Sequence, residues 1–166
     1  MRARMGELPW KGLYSLASIL GLALIVWGYG LARQQPVVLW NPPVGLRQAA
    51  SLRTLIAFGL LAAAYVPRNA RKARLHHPMV LGVKVWALAH LLSNGNLADV
   101  VLFGAFLLWA VLDFRAARQR DRAHHTVYAP GTAAGTVIAV AVGTAAWAGF
   151  AFWAHAWLIG VAPMGR

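Results

Sequence analysis

From Gly12 to Leu31 the chain runs twenty residues without a charge, GLYSLASILGLALIVWGYGL. As a helix rising 1.5 Å per residue, that run matches a bilayer's hydrocarbon core of roughly 30 Å. At that depth every backbone amide needs an internal partner, and only helices and closed barrels supply them all. The rest of the chain repeats the pattern. Hydrophobic residues make up 60% of the sequence and charged residues 12%, against about 25% charged in soluble domains. These features predict an all-α, polytopic membrane helix bundle, one transmembrane domain over residues 1–166.

Four more spans follow. The second covers about Ala49 to Val66, with Arg53 one turn inside and expected to snorkel toward the interface. The third runs from Pro78 to Leu92 and is only about fifteen residues long, with proline at an allowed first-turn position. The turn-like SNGN (Ser93 to Asn96) leads to a fourth span, Leu97 to Leu112, and the fifth covers Ala133 to Ile159. Between the first two spans, Pro36, Pro42 and Pro43 break helix. That segment reads as an ordered interfacial loop with Trp40 at the bilayer surface. The start of the chain does not read as a cleaved signal peptide, because the apolar run is too long and lacks a small-residue cleavage site.

The cations occupy the gaps. Arg2, Arg4 and Lys11 precede the first span. Arg68, Arg71, Lys72 and Arg74 fill one loop, and Arg115, Arg118, Arg120 and Arg122 another. Five crossings put these eleven on one side, and Arg33, Arg47, Arg53 and Arg166 on the other. The positive-inside rule then predicts a cytoplasmic N-terminus and a C-terminus across the membrane. A net charge of +12 distributed this way speaks for topology and against a nucleic-acid partner.

Several chemistries are excluded. There is no cysteine, so no thiolate ligand and no disulfide. Glu7, Asp99, Asp113 and Asp121 are the only acids, too few for paired-carboxylate catalysis. No phosphate loop, dinucleotide fingerprint or nucleophile elbow is present. What remains is a polar set inside His76–Asp113: Lys84, His90, Asn94, Asn96 and Asp99. Such groups cost roughly 2.5–3.5 kcal/mol each on insertion scales and usually face partners or a cavity.

At 100° per residue, His77 and Lys84 lie within about 20° of each other, while Trp86, His90 and Asn94 form a second face at four-residue spacing. His90 is either a metal or haem ligand or proton donor, or a neutral packing residue bridging to Asn94 or a neighbouring helix. Lys84 is expected to pair with an acid such as Asp113 or with a lipid headgroup. His76 reads as interfacial, His155 as a residue of the aromatic belt, and His124 and His125 as solvated. His77 and His90 are thirteen residues apart on one helix, about 20 Å, so they are alternatives and cannot share an iron. Gly131, Gly135, Ala139 and Gly143, every fourth residue, form a small face that another helix can approach closely.

The run HHPMVLGVKVWALAHLLSNGNLADVVLFGAFLLWAV resembles the signature of the NnrU family of bacterial inner-membrane proteins. WKGLYSLASILGLALIVWGYGLAR, VLWNPP and FWAHAWLIGVAP carry the resemblance over nearly the whole chain. That family is associated with denitrification and nitric oxide metabolism, and is similar to zeta-carotene isomerase, which uses haem b with histidine ligation. The resemblance implies haem binding with isomerase-like or redox chemistry on a lipid-like or polyene substrate, with His77 and His90 at the matching motif positions. Two departures stand out. The family usually has Arg-His-Pro where this chain has His76, His77 and Pro78. Family members also usually begin with a further hydrophobic helix carrying a histidine. Two other classes are weighed: a non-enzymatic accessory protein binding a partner complex through the Gly131–Gly143 face, and a lipid methyltransferase. The second is disfavoured because no glutamate follows Glu7.

Overall fold

The computed structural model describes residues 6–164, so Arg2, Arg4 and Arg166 lie outside the described residues. It is all-helical, with two isolated β-bridges and no strands among the described residues. The chain divides into two compact units, 1–37 and 38–166.

The first unit is α1, Glu7–Ala32, 26 residues and so about 39 Å long. Glu7 lies in its first turn, favourable for an anion at the helix dipole, and pairs with Lys11 one turn on at 2.7 Å. The remaining circumference is apolar, as a membrane span requires.

The second unit contains α2 (Val44–Tyr65), the short α3 (Ala70–Leu75), α4 (Pro78–Ser93), α5 (Leu97–Ala123) and α6 (Ala133–Gly149). A π-helical turn, Phe150–Ala154, joins α6 to α7, His155–Ile159. α2 packs against both α4 and α6, and α4 packs against α5. The long helices therefore lie in the order α6, α2, α4, α5, with successive neighbours antiparallel. α1, α2, α5 and the α6–α7 rod are long and apolar enough to cross a membrane, and α4 is a shorter apolar helix. Its 16 residues span about 24 Å, which suits a bilayer only with little tilt or local thinning.

Small residues set the packing. Ala57, Ala63, Ala87, Ala89, Ala110 and Ala139 are fully buried, which lets backbones approach where hydrophobic burial offers no driving force. A Cβ on Gly143 would fall 2.6 Å from Gly59 Cα, and one on Gly135 2.6 Å from the Arg68 carbonyl oxygen. The small face of α6 is thus filled from within the chain, by α2 and the segment before α3.

Two differences from the sequence reading have physical causes. α5 continues to Ala123, well past Asp113, where a loop was expected. No Gly or Pro interrupts residues 105–129, and the Ala, Arg and Gln in this stretch are strong helix formers. Its last charged turns project beyond the apolar length. SNGN is not a tight turn either: Asn94 is extended (φ −120°, ψ 136°), and Asn96 pairs with Val38 in an antiparallel bridge. The Gly95 carbonyl accepts from Leu39 N at 2.8 Å and Trp40 N at 3.2 Å. The proline segment is ordered, as expected, and is tied down by this contact.

Candidate functional site

One end of the second unit, here the basic end, carries the arginine-rich segments; the opposite, far end carries the Gly95 contact. Chemistry-bearing side chains gather at both.

At the far end His90, near the end of α4, directs Nδ1 at the Trp86 carbonyl one turn earlier, 2.8 Å away. A carbonyl only accepts, so Nδ1 carries the proton and Nε2 keeps its lone pair. The ring stacks on Phe103 of α5 (4.5 Å between centroids, 28°) and tilts against Trp86 at 5.1 Å. Trp86 also meets Phe103 and Phe106 edge-on, at 5.1 and 5.5 Å. Buried Asp99 accepts from Asn96 Nδ2 at 3.1 Å. Asp99 lies one turn before Phe103 on α5. His155 lies just past the π-helical turn, and its Nδ1 faces the Val161 carbonyl at 2.6 Å. It therefore has the same tautomer as His90, with Nε2 left open. Asn94 ends α4, and its backbone N–H donates to His90 O at 2.9 Å.

Sequence spacing alone brings Trp86 and His90 together. It does not bring in Phe103, Asp99 and His155, because these come from other helices.

At the basic end His77 Nε2 donates to Asp121 Oδ2 at 2.7 Å. The Tyr128 hydroxyl donates to the same carboxylate at 3.1 Å. His76 stacks on Tyr128 at 4.2 Å and accepts at Nδ1 from Arg118. His76 holds a left-handed backbone (φ 67°) that directs the two adjacent imidazoles into one cluster. Burial works to raise the Asp121 carboxyl, but the His77 and Tyr128 hydrogen bonds and the His77 and Arg118 charges outweigh it, leaving it below the ordinary carboxylate value. The Tyr128 phenol is pushed up, by burial first and then by its bond to Asp121.

The shared face of His77 and Lys84 exists: both meet Phe114, His77 edge-on at 6.1 Å and Lys84 with its ammonium 4.0 Å from the ring centroid. Lys84 makes no ion pair with Asp113. Its partner is the Phe114 π-face, a cation–π contact. Phe114, Arg115, Arg118, Gln119 and Arg122 border an open, polar cavity of about 480 Å³ along α5. His124 and His125 are exposed. No group of three or more His or carboxylate side chains among the described residues is placed to hold a metal ion.

The family described as NnrU protein matches residues 1–163. The chain belongs to the NnrU family. No curated protein and no solved structure matches it. As an NnrU protein it is a helical membrane protein whose polar interior divides between the His90 and His77 clusters, on either end of α4.

Proposed function

We propose that this NnrU protein is a haem-associated membrane protein of nitrogen-oxide metabolism, with isomerase-like or redox chemistry on a lipid-like substrate. The observation that supports the reading is the His90 hydrogen bond to Trp86 O. It fixes the tautomer whose Nε2 is the usual ligand atom, in an aromatic setting that keeps water away.

An imidazole with a free Nε2 among aromatic rings is the kind of donor that haem b takes. His155 has the same open Nε2 and comes from another helix at the far end. Histidines on two helices could offer two imidazole nitrogens to one iron, which His77 and His90, thirteen residues apart along α4, could not. His77 is the weaker alternative, because its Nε2 is already engaged by Asp121. Haem bound at His90 would supply a Lewis-acidic or redox-active iron. The chain's own part is to orient His90 through Trp86 O and to wall the site with Phe103 and Phe106. In this reading the basic end faces the cytoplasm of a bacterial inner membrane. A purely accessory role through the Gly131–Gly143 face is less favoured, because α2 and the segment before α3 already fill that face.

The test is the absorption spectrum of protein purified after haem-supplemented expression. A Soret band that survives His77→Ala and is lost in His90→Ala is the expected result. A colourless wild-type protein overturns the haem reading.

A further inference from the structure

Arg53 lies within α2, nine residues in from its far-end start at Val44. A snorkelling arginine would send its head group to water. Here Nη1 is sealed from solvent and makes no hydrogen bond, and no carboxylate among the described residues lies within ion-pair distance of the guanidinium. Arg53 as a whole is half-buried, but this one donor nitrogen is closed off without an acceptor, and burying a polar group unpaired is costly. Native structures rarely leave such a donor empty, and an acceptor supplied from outside the chain is one way to fill it.

Its position can be read from helix register. Ala57 and Leu60, four and seven residues after Arg53, are both buried. They share its face of α2, the one turned to α4: the Gly82 Cβ position lies 3.0 Å from Ala57 O and 3.4 Å from Leu60 Cβ. The two helices are antiparallel. Four residues toward the far end on each bring Arg53 level with Trp86, about one turn from His90.

On the other side of α2, Gly143 abuts Gly59. Six residues toward the far end on each put Arg53 level with Gly149, where α6 widens into the π-helical turn. Next to Arg53, Thr54 Oγ1 accepts from Trp147 Nε1 at 3.2 Å. Thus the Arg53 position on α2, the His90 cluster and the π-helical turn fall at about one level along the bundle by helix register. π-Turns inside helices are frequent at functional sites.

We propose that Arg53 is the anchor for the acidic group of an amphiphilic ligand, a carboxylate or phosphate seated on the guanidinium with its apolar body among the far-end aromatic side chains. The planar fork of arginine matches either oxyanion in two parallel hydrogen bonds. At this depth a bilayer-soluble molecule is the kind of ligand that can deliver one. The inference concerns Arg53 alone and stands whether or not His90 binds iron.

The test uses full-length protein in nonionic detergent, with oleate, oleyl phosphate and neutral oleyl alcohol as probes. Binding is read as thermal stabilisation against ligand concentration, since a ligand that binds only the folded state raises its stability. The expected result is half-maximal stabilisation by at least one acid at a concentration about tenfold below that for the alcohol. The stronger of the two acids identifies a carboxylate or a phosphate as the natural group. In Arg53→Met the acid preference disappears while the ligand-free melting temperature rises, because a buried donor nitrogen without an acceptor has been removed. Arg53→Lys retains part of the preference. Equal binding of acids and alcohol by the wild type overturns the proposal, and so does an Arg53→Met protein that keeps the preference or melts lower without ligand. A colourless protein that still prefers acids removes the haem and leaves this inference intact.

Discussion

His77 Nε2 and Asp121 Oδ2 meet at 2.7 Å, joining the residue that precedes α4 to the last turns of α5. With Tyr128 on the same carboxylate, three separate segments converge on one acid. Asp121 is held below its ordinary value in the fold, so its contribution is present above the usual carboxylate range, near pH 4, and is lost as pH falls through the lowered folded value. Tyr128 is shifted upward, so its contribution is complete below about pH 10 and is lost as pH rises through the raised folded value. Thermal unfolding in detergent should therefore show a plateau between these limits. Asp121→Asn should flatten the acid limb and Tyr128→Phe the alkaline one. Unchanged limbs in both variants would separate this cluster from the pH response.

Lys84 offers a sharper test, because the sequence and the structure assign it different partners. If the cation–π contact with Phe114 is the interaction that matters, a double-mutant cycle between Lys84→Met and Phe114→Leu should give a coupling of about 0.5–1 kcal/mol. The same cycle between Lys84→Met and Asp113→Asn should give a coupling near zero. Chemical denaturation or thermal melting of the four proteins in each cycle reads both values, and a larger coupling to Asp113 would refute the geometry.

These two clusters mark how much was legible beforehand. The helices announce themselves through apolar runs and through loops holding almost only cations, since the bilayer penalises any other pattern. Periodicity placed Trp86 beside His90, and His77 with Lys84, because each pair lies on α4 or at its N-cap. Periodicity says nothing about which helix comes to meet a face. Phe103 against His90, Asp121 against His77 and Phe114 under Lys84 all arrive from α5 through tertiary packing. The continuation of α5 to Ala123 was hidden because charge was read as a loop signal, although helix-forming residues carry that charge. Arg53, expected to snorkel, is half-buried, and helix periodicity has no means of showing that its Nη1 alone is shut off from solvent.

Asn69 is the position where a single atom swap should cost most. It is 1% exposed. Its Nδ2 donates to the carbonyls of Ala63 at 2.9 Å and Val66 at 2.5 Å, and its Oδ1 accepts from Lys72 N at 2.9 Å. One amide thus closes the end of α2 and caps the start of α3, the segment that leads directly into His76 and His77. Asn69→Ala strands those groups and should destabilise by about 2–4 kcal/mol. Asp is an equally good helix cap by propensity, so a pure capping role predicts that Asn69→Asp is harmless. The geometry predicts the opposite, because a second carboxylate oxygen would face two carbonyl oxygens with no hydrogen between them. Asn69→Asp should therefore melt at or below Asn69→Ala at neutral pH, recovering as acid protonates the new carboxyl. Near-wild-type melting of Asn69→Asp at pH 7 would reduce Asn69 to a cap and detach it from the positioning of the histidine pair.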